Sequence, residues 1–463
     1  MSSCSRSAYR HILLAALLQL GATQLWAAEP LLAPPGSPLA IRQEYQAQFD
    51  RRDWTAATTT AQRLLDAARA KAKTDPLGVV DALVLLGNAE VGAKNMVGAE
   101  THFAEALQLV EQRVGAASSR LIEPLRGLGF SLAAQGKHEV AVPLMERALV
   151  IWRRNYGLFD TNQQGLLRNL AESEAAIRRI AEGERHMLYL LGIGERNFGR
   201  QDPRLVPVLC IVGNWYVQAG LVAAAREKFR MALDIVDAKL GKNNLGAVEP
   251  LRGLAASYVD ELLLANYGPK PEERDRQTNT LGVSNDTRPT NPRYLNPEGD
   301  RVLSRALKIL DANPERSPAV LVDTLIQQGD LLQLRNNFSQ ALPYYRRAAV
   351  TMIADPKAQP GEVNPLAFPA QIYFPVPLLA IRNLNRPPEE VVERFVQAEF
   401  TVTEQGGVKD IRVAEQDATP RQIAETLDAV RASRYRPKFV NGEPVETTAV
   451  VYRQVFKQRK EAE

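Results

Sequence analysis

The sequence predicts a mainly α-helical protein, in which a solenoid of helical hairpins is followed by a small α+β domain. Three observations support this fold class. Leucines recur at one constant interval, at positions 83, 125, 167, 209 and 251, the region beyond position 390 changes to a two-residue period, and a proline-rich stretch separates the two. Self-similarity at a fixed period indicates stacked copies of one supersecondary unit, because a single copy cannot bury its apolar face alone.

The N-terminal residues predict export. Arg10 and His11 precede an apolar run that ends in small residues at Ala27 and Ala28. A basic start, a short apolar middle and small residues at the end are typical of a secretory signal peptide, so we assign residues 1–28 to one. An uncleaved membrane anchor is the alternative interpretation of the same residues.

The repeats themselves predict helical hairpins. Each leucine of the series is followed four positions later by a small residue, and alanines and a large apolar residue then recur on a second helix. A small residue lets the second helix approach closely, and the large apolar side chain fills the gap between successive hairpins. The five pairs are Leu83 and Gly87, Leu125 and Gly129, Leu167 and Ala171, Leu209 and Gly213, and Leu251 and Ala255.

Two further copies extend the predicted array over residues 38–355: one that begins at Leu325 reproduces the spacing without error, and one that begins at Ile41 fits it loosely. The fifth copy is interrupted, since the alanine expected at position 274 is found at 306, which implies an insertion at about 266–300. Prolines amid polar residues without periodicity predict either a disordered excursion, which we favour, or a functional loop.

This pattern resembles the tetratricopeptide repeat (TPR), with its large apolar residue, Leu-Gly and subsequent Ala, Phe and Ala at fixed offsets. Segments 83–87 and 225–232 are the clearest examples. The standard repeat is about 34 residues long, and the 42-residue period found here resembles the longer repeats of kinesin light chains. The resemblance implies a superhelical array whose first helices line a concave groove for a protein partner.

The resemblance also places a set of polar residues on the groove face of the first helices. TPR domains that hold a peptide C-terminus use basic and Asn side chains at comparable places, because guanidinium and amide groups can fork onto a carboxylate. Alternatively, the arginines pair with Glu123 and Glu172 inside the groove. The candidate groove residues are Arg126, Arg168, Arg252, Asn88, Asn169 and Asn214.

The C-terminal part predicts a linker and then a compact domain. Residues 356–389 are rich in proline, which is typical of an interdomain linker or an extended segment packed along a neighbour. Alternating polarity and turn residues beyond them predict a hairpin, a helix and a last strand. The predicted elements are strands over 395–403 and 408–413, a turn at 405–407, a helix over 421–433 and a strand over 447–456.

Residues 390–458 resemble the C-terminal domain of TonB, which couples the inner-membrane proton gradient to outer-membrane receptors. The family has a Phe-x-Val strand, a Gly-containing turn, an aromatic-Arg-Pro motif and a Gly-x-Pro-Val motif. The resemblance implies a Gram-negative periplasmic location and a last strand whose free edge pairs with a partner segment. The matching residues are Phe400, Gly407, Tyr435, Arg436, Pro437, Gly442, Pro444 and Val445.

The function predicted from these features is that of a non-catalytic periplasmic adaptor. Its expected partners are cell-envelope or outer-membrane proteins or their peptide segments. A net charge of +4 over 463 residues gives no footprint for nucleic acid, and the sequence contains no motif for a catalytic, cofactor or metal site or for a small-molecule substrate. The alternatives are a TonB-type energy transducer for outer-membrane transport and a structural subunit of an envelope complex.

Overall fold

The computed structural model describes residues 37–259, 262, 298–360, 363–381 and 391–459. The assigned signal peptide and nearly all of the polar insertion lie outside the described residues. The chain divides into two compact units between Met231 and Ala232. The predicted fold class is confirmed, since TPR-like helical hairpins are followed by a small β-rich region at the C-terminus. None of the helices within the described ranges is both long enough and apolar enough to cross a membrane.

The first unit is built from helical hairpins. Several first turns are closed by an Asp or Asn cap, as at Asp53, Asp75 and Asn95, whose side chains accept a hydrogen bond from the amide three residues later. The helices are α1 (Pro38–Asp50), α2 (Trp54–Ala70), α3 (Pro76–Gly92), α4 (Met96–Val114), α5 (Ile122–Ala134), α6 (His138–Tyr156), α7 (Gln164–Ala176), α8 (Ile180–Phe198), α9 (Val206–Gln218) and α10 (Val222–Lys239), the last of which contains the division between the units.

The small residues have the packing role that the repeat predicts. A Cβ atom added to Gly87 would lie 2.8 Å from the Phe103 ring, and one added to Gly127 in the next hairpin would overlap the same ring. In the same way, a Cβ atom added to Gly213 would lie 2.7 Å from the Phe229 ring. Phe103 and Phe229 are fully buried. Each ring therefore occupies space that only a glycine on the facing helix leaves open.

A second periodic feature, not anticipated from the sequence, lies in the loops between hairpins. A glycine with φ near +90° follows each of the four helices α4, α6, α8 and α10, where a Cβ would be strained. Three residues later, an Asp, Asn or Ser side chain accepts a hydrogen bond from the amide two residues on and starts a short 3₁₀ turn before the next helix. The pairs are Gly115 and Ser118, Gly157 and Asp160, Gly199 and Asp202, and Gly241 and Asn244.

Asparagine side chains tie these loops to the second helices. The Asn197 amide donates to the Ile193 carbonyl at 2.8 Å and to the Phe159 carbonyl in the preceding loop at 2.9 Å. Asn155 and Asn313 make the same pair of bonds at their own loops. Asn155 and Asn197 are separated by one repeat period, so the loop geometry follows that period as closely as the leucines do.

The second unit contains the remaining hairpins and the β-rich region. Helix α13 packs against α14, and β4 and β1 lie against α13. Its elements after α10 are α11 (Val248–Ala256), α12 (Glu298–Ala312), α13 (Pro318–Leu334), α14 (Phe338–Ala354), β1 (Ala370–Tyr373), β2 (Val391–Val402), β3 (Val408–Asp417), α15 (Pro420–Ala432), β4 (Arg434–Arg436), β5 (Lys438–Val440), β6 (Glu443–Val445) and β7 (Thr447–Arg459).

Three small antiparallel sheets form the β-rich region. The largest has the order β3-β2-β7, while β1 pairs with β4 and β5 pairs with β6. Phe400 and Val402 on β2 pack with Val430 of α15 and with Tyr435 to form its core. Strand β1 lies in the proline-rich stretch that was predicted as a linker or as an extended segment packed along a neighbour, and the described part of that stretch contributes a strand to this unit.

Candidate functional site

Two of the candidate groove arginines are partly exposed on first helices of the first unit. Arg126 on α5 lies 2.5 Å from Glu123, and Arg168 on α7 lies 3.8 Å from Glu172. The side chains of Arg126 and Arg168 are 35% and 28% exposed. Both ion pairs join residues one turn apart on the same helix, as the alternative interpretation of these arginines expects. Such pairs hold the guanidinium group weakly and leave it accessible.

Arg252 has different surroundings. Its side chain is only 7% exposed on α11, and its guanidinium group pairs with Asp323 of α13. It also donates to the Gln327 side chain at 3.3 Å, while the Gln327 amide donates to the Arg252 carbonyl at 2.9 Å. Arg252 therefore joins two helices of the second unit from within, whereas Arg126 and Arg168 present their charge to solvent.

The three candidate asparagines also differ in burial. Asn88 on α3 and Asn214 on α9 are half-buried, whereas Asn169 on α7 is 8% exposed. Asn88 and Asn214 hold the same repeat position, one residue after the small residue of the first helix. These two keep part of the amide available for a ligand, and Asn169 does so much less.

Two histidines lie beside buried glutamates inside hairpins. His102 on α4 lies 2.7 Å from Glu90 on α3, and His186 on α8 lies 3.4 Å from Glu174 on α7. The two glutamates hold the same position of the repeat, two copies apart. Within the part of the chain that the structure describes, no group of three or more His, Cys, Asp or Glu side chains could hold a metal ion.

The TonB-like motif residues of the second unit form its core and turns. Phe400 and Tyr435 pack together with ring centroids 5.7 Å apart. The amide of Gly407 donates to the Thr403 hydroxyl at 3.1 Å in the β2–β3 turn. Gly442, with φ +86°, follows Asn441 in the turn between β5 and β6, where Pro444 pairs with Phe439 and Val445 with Lys438.

Arg436 of this motif, which directly precedes Pro437, is buried against the last helical hairpin. Its guanidinium group lies 2.9 Å from the Asp330 carboxylate on α13, which also accepts a hydrogen bond from the Tyr345 hydroxyl at 2.8 Å. Burial raises the pKa of the Asp330 carboxyl above its ordinary value, and the positive charge of Arg436 opposes that shift. The Tyr345 ring in turn contacts Phe439, with centroids 5.7 Å apart.

The adjacent turn is fixed to the same helix. The Gln333 amide on α13 donates to the carbonyls of Gln405 at 2.5 Å and Tyr435 at 3.2 Å. Gly406, with φ +74°, approaches Tyr435 so closely that a Cβ would overlap the Tyr435 carbonyl. The β-rich region is therefore bonded to the last hairpin through charge, hydrogen bonds and ring contacts.

The sequence analysis did not single out Asp330 and Gln333. Asp330 directly follows Gly329, so it holds the repeat position of Asn88 and Asn214. The sequence predicted that a side chain at this position faces a ligand. In this hairpin the side chain pairs instead with Arg436 of the same chain. The repeat offered only a weak signal for Asp330, because the equivalent position of another copy already carries an acidic residue, Glu172.

Strand β7 is an edge of the three-stranded sheet. Among the described residues it pairs only with β2, along most of its length. Val451, Arg453 and Val455 alternate as exposed side chains on one face, and the Arg453 guanidinium stacks 3.6 Å from the centre of the Phe395 ring. The strand bulges at Ala449, whose φ is +56°. Its outer row of backbone amides and carbonyls is the type of edge that accepts a further strand.

Comparison with protein families gives two matches. Residues 78–154 match the tetratricopeptide repeat family, and residues 395–457 match the C-terminal domain of the Gram-negative bacterial TonB protein. The two resemblances inferred from the sequence are thereby confirmed. No curated protein sequence matches this chain.

Several solved structures are similar to this chain. BtubC (BKLC) from P. vanneervenii is 17% identical with a TM-score of 0.36, and the match covers 70% of this chain and 95% of that one. A putative kinesin light chain from Podosopora anserina with nearly identical TPR-like repeats is 12% identical with a TM-score of 0.40, covering 51% and 97%. A tetratricopeptide repeat protein from Parabacteroides merdae is 12% identical with a TM-score of 0.40, covering 69% and 97%.

Proposed function

We propose that this protein is a non-catalytic interaction adaptor of the Gram-negative periplasm. In this proposal the groove of the TPR array binds one envelope protein, and strand β7 of the TonB-like domain pairs with an extended segment of another. The observation that carries it is the combination, in one chain, of a matched TPR region and a matched TonB C-terminal domain.

The groove part of the proposal relies on Arg126 and Arg168. Each guanidinium group is held by a carboxylate one turn away and remains partly exposed. A peptide carboxylate could replace that partner without leaving a buried charge unpaired, because the pairs lie at the surface. Asn88 and Asn214 would add amide donors and acceptors. Arg252 is omitted from the proposed groove because its charge is already used inside the second unit.

The edge part of the proposal relies on β7. An added strand gains affinity from backbone hydrogen bonds, and alternate side chains supply specificity. Val451 and Val455 lie on the exposed face of the strand, at 55% and 39% exposure. The attachment of the β-rich region to α13 and α14 favours an adaptor, since the edge is then held by the last hairpin of the array.

Site-specific photo-crosslinking in intact envelopes tests both surfaces. We expect a crosslinker at Asn214 to capture one protein and a crosslinker at Val451 to capture a different one. Val97 on the exposed face of α4, at 66% exposure, serves as the control position and should capture neither. The variant Arg126→Ala/Arg168→Ala should abolish the Asn214 adduct and leave the Val451 adduct unchanged.

Other outcomes would point to the alternatives. Adducts at Asn214 that survive the double substitution would contradict a groove that recognises its partner through these arginines, and would favour a structural subunit. The intact mass of the mature protein separates the adaptor from an energy transducer. We expect a chain that has lost the residues up to Ala27 or Ala28, and retention of residues 1–28 would contradict the adaptor and support a membrane-anchored transducer.

A further inference from the structure

A small cavity lies in the first unit where the start of α5 meets the end of α6. It has a volume of about 250 Å³, below the range of about 300–1,000 Å³ that is usual for sites of drug-sized ligands. A cavity of this size fits one side chain better than a cofactor. Its lining residues are Ser119, Ile122, Glu123, Trp152, Tyr156, Asp160 and Asn162.

Two aromatic rings and two carboxylates dominate this lining. Trp152 and Tyr156 are one turn apart on α6, with ring centroids at 5.7 Å. Glu123 uses one carboxylate oxygen to pair with Arg126, and Asp160 uses one to cap the amide of Asn162. Their second oxygens make no hydrogen bond within the described residues. Aromatic faces beside carboxylates are the surroundings that a guanidinium or ammonium group prefers.

Arginines of α6 and α8 already stack on aromatic rings in this array. Arg153 lies over Tyr189 at 4.3 Å, and Arg196 lies over Phe159 at 4.0 Å. In the described part of the chain, no arginine or lysine lies over Trp152 or Tyr156. Tyr156 is 55% exposed, so the mouth of the cavity is open.

Trp152 is also a costly residue at its position. Its indole N–H is buried and finds no acceptor among the described residues, which lowers stability relative to an apolar side chain. The equivalent positions of the other copies are Val110, Gly194 and Val236, which carry no such group. A buried polar group without a hydrogen-bond partner is one of the local departures that functional positions tolerate.

We propose that this cavity binds an arginine side chain of the partner that occupies the groove. The guanidinium group lies against the Trp152 and Tyr156 rings, which are tilted by 59° to each other, while its N–H groups donate to Glu123 and Asp160. Glu123 is one turn from Arg126 and pairs with it, so the cavity adjoins the proposed groove face. The inference rests on the proposed function only in taking the arginine from a protein partner.

The test uses the whole mature chain and a defined probe. N-acetyl-arginine methylamide is titrated while the indole ¹H–¹⁵N signals are recorded, with Trp152→Phe identifying the signal of Trp152. We expect a saturable shift of that signal alone. The citrulline analogue has nearly the same shape but no charge, and should produce no saturable shift.

The variant Asp160→Asn preserves the cap, since Asn is also a good capping residue, and removes one charge. It should weaken arginine binding about tenfold, in line with the loss of one close charge pair. Equal shifts with arginine and citrulline, no saturable shift, or unchanged affinity in Asp160→Asn would each overturn the proposal. Because no partner protein is present, failure here is distinguishable from failure of the crosslinking experiment.

Discussion

At the scale of single residues, the array depends on where glycine is placed. Phe103 is buried between Gly87 of its own hairpin and Gly127 of the next, so one ring fixes two interfaces. Glycine lowers helix stability by roughly 0.5–1 kcal/mol relative to alanine. The close approach that it permits outweighs this loss only where a neighbouring side chain fills the space.

This contrast gives a matched pair of substitutions. Gly127→Ala on α5 should destabilise the first unit by about 1–3 kcal/mol, because the new methyl group overlaps a ring that cannot move. Gly192→Ala on α8, where a Cβ meets nothing within 4 Å, should stabilise by about 0.5–1 kcal/mol. Urea denaturation of both variants measures the sign of each change in the free energy of unfolding. If Gly192→Ala destabilised the unit as much as Gly127→Ala, the packing argument would be contradicted.

The sequence indicated some of these residues and not others. Gly87 and Gly213 followed from the 42-residue period, because each is repeated. Gly127 recurs in the same repeat position only at Gly253, and only the coordinates show which ring it meets. Arg252 was predicted to line the groove with Arg126 and Arg168, yet its partner Asp323 lies 71 residues away across the insertion. Repeat spacing predicts where a residue lies on its own helix. It does not predict which charged residue of a distant helix lies beside it.

At the scale of elements, the attachment of β4 to α13 is the feature with the largest expected energy. Arg436 and Asp330 are both largely buried, at 9% and 22% side-chain exposure. Removing one member of a buried pair leaves the other charge uncompensated, whereas replacing both with apolar residues is often nearly neutral. We therefore expect the effects of substituting Arg436 and Asp330 on the free energy of unfolding to be strongly non-additive.

The single variant Arg436→Leu should lose about 3–5 kcal/mol of stability in the second unit, and Asp330→Leu/Arg436→Leu should recover most of that loss. The control is Arg412→Leu on β3, a 70% exposed arginine paired with Glu399, which should change stability by less than about 1 kcal/mol. Hydrogen exchange in peptides from α13 and β4 of the full chain measures the effect. Additive losses in the double variant would contradict a direct pair.

Some element boundaries were predictable, and the associations between elements were not. The α15 helix and the β2–β3 turn lie within one or two residues of their predicted positions, because capping and turn residues mark them locally. Strand β1 was missed because so short a segment inside a proline-rich stretch carries no periodic signal. The bonds of Gln333 to the turn at Gln405 join parts of the chain 72 residues apart, which no local pattern reports.

At the scale of the whole molecule, two surfaces of one chain are proposed to bind partners. The first-unit hairpins carry partly exposed arginines at the repeat spacing, and in the β-rich region strand β7 pairs on one side only among the described residues. We propose that the TPR array and the TonB-like domain each contact a different protein. The central claim is that both contacts are made at once.

A doubly labelled chain tests that claim most directly. Photo-crosslinkers are placed at both Asn214 and Val451, and the products from intact envelopes are separated by mass. We expect a ternary product that contains this chain and both partners. In the variant Arg126→Ala/Arg168→Ala, only the adduct at β7 should remain. Binary products only, with either partner excluding the other, would contradict an adaptor that joins two envelope proteins.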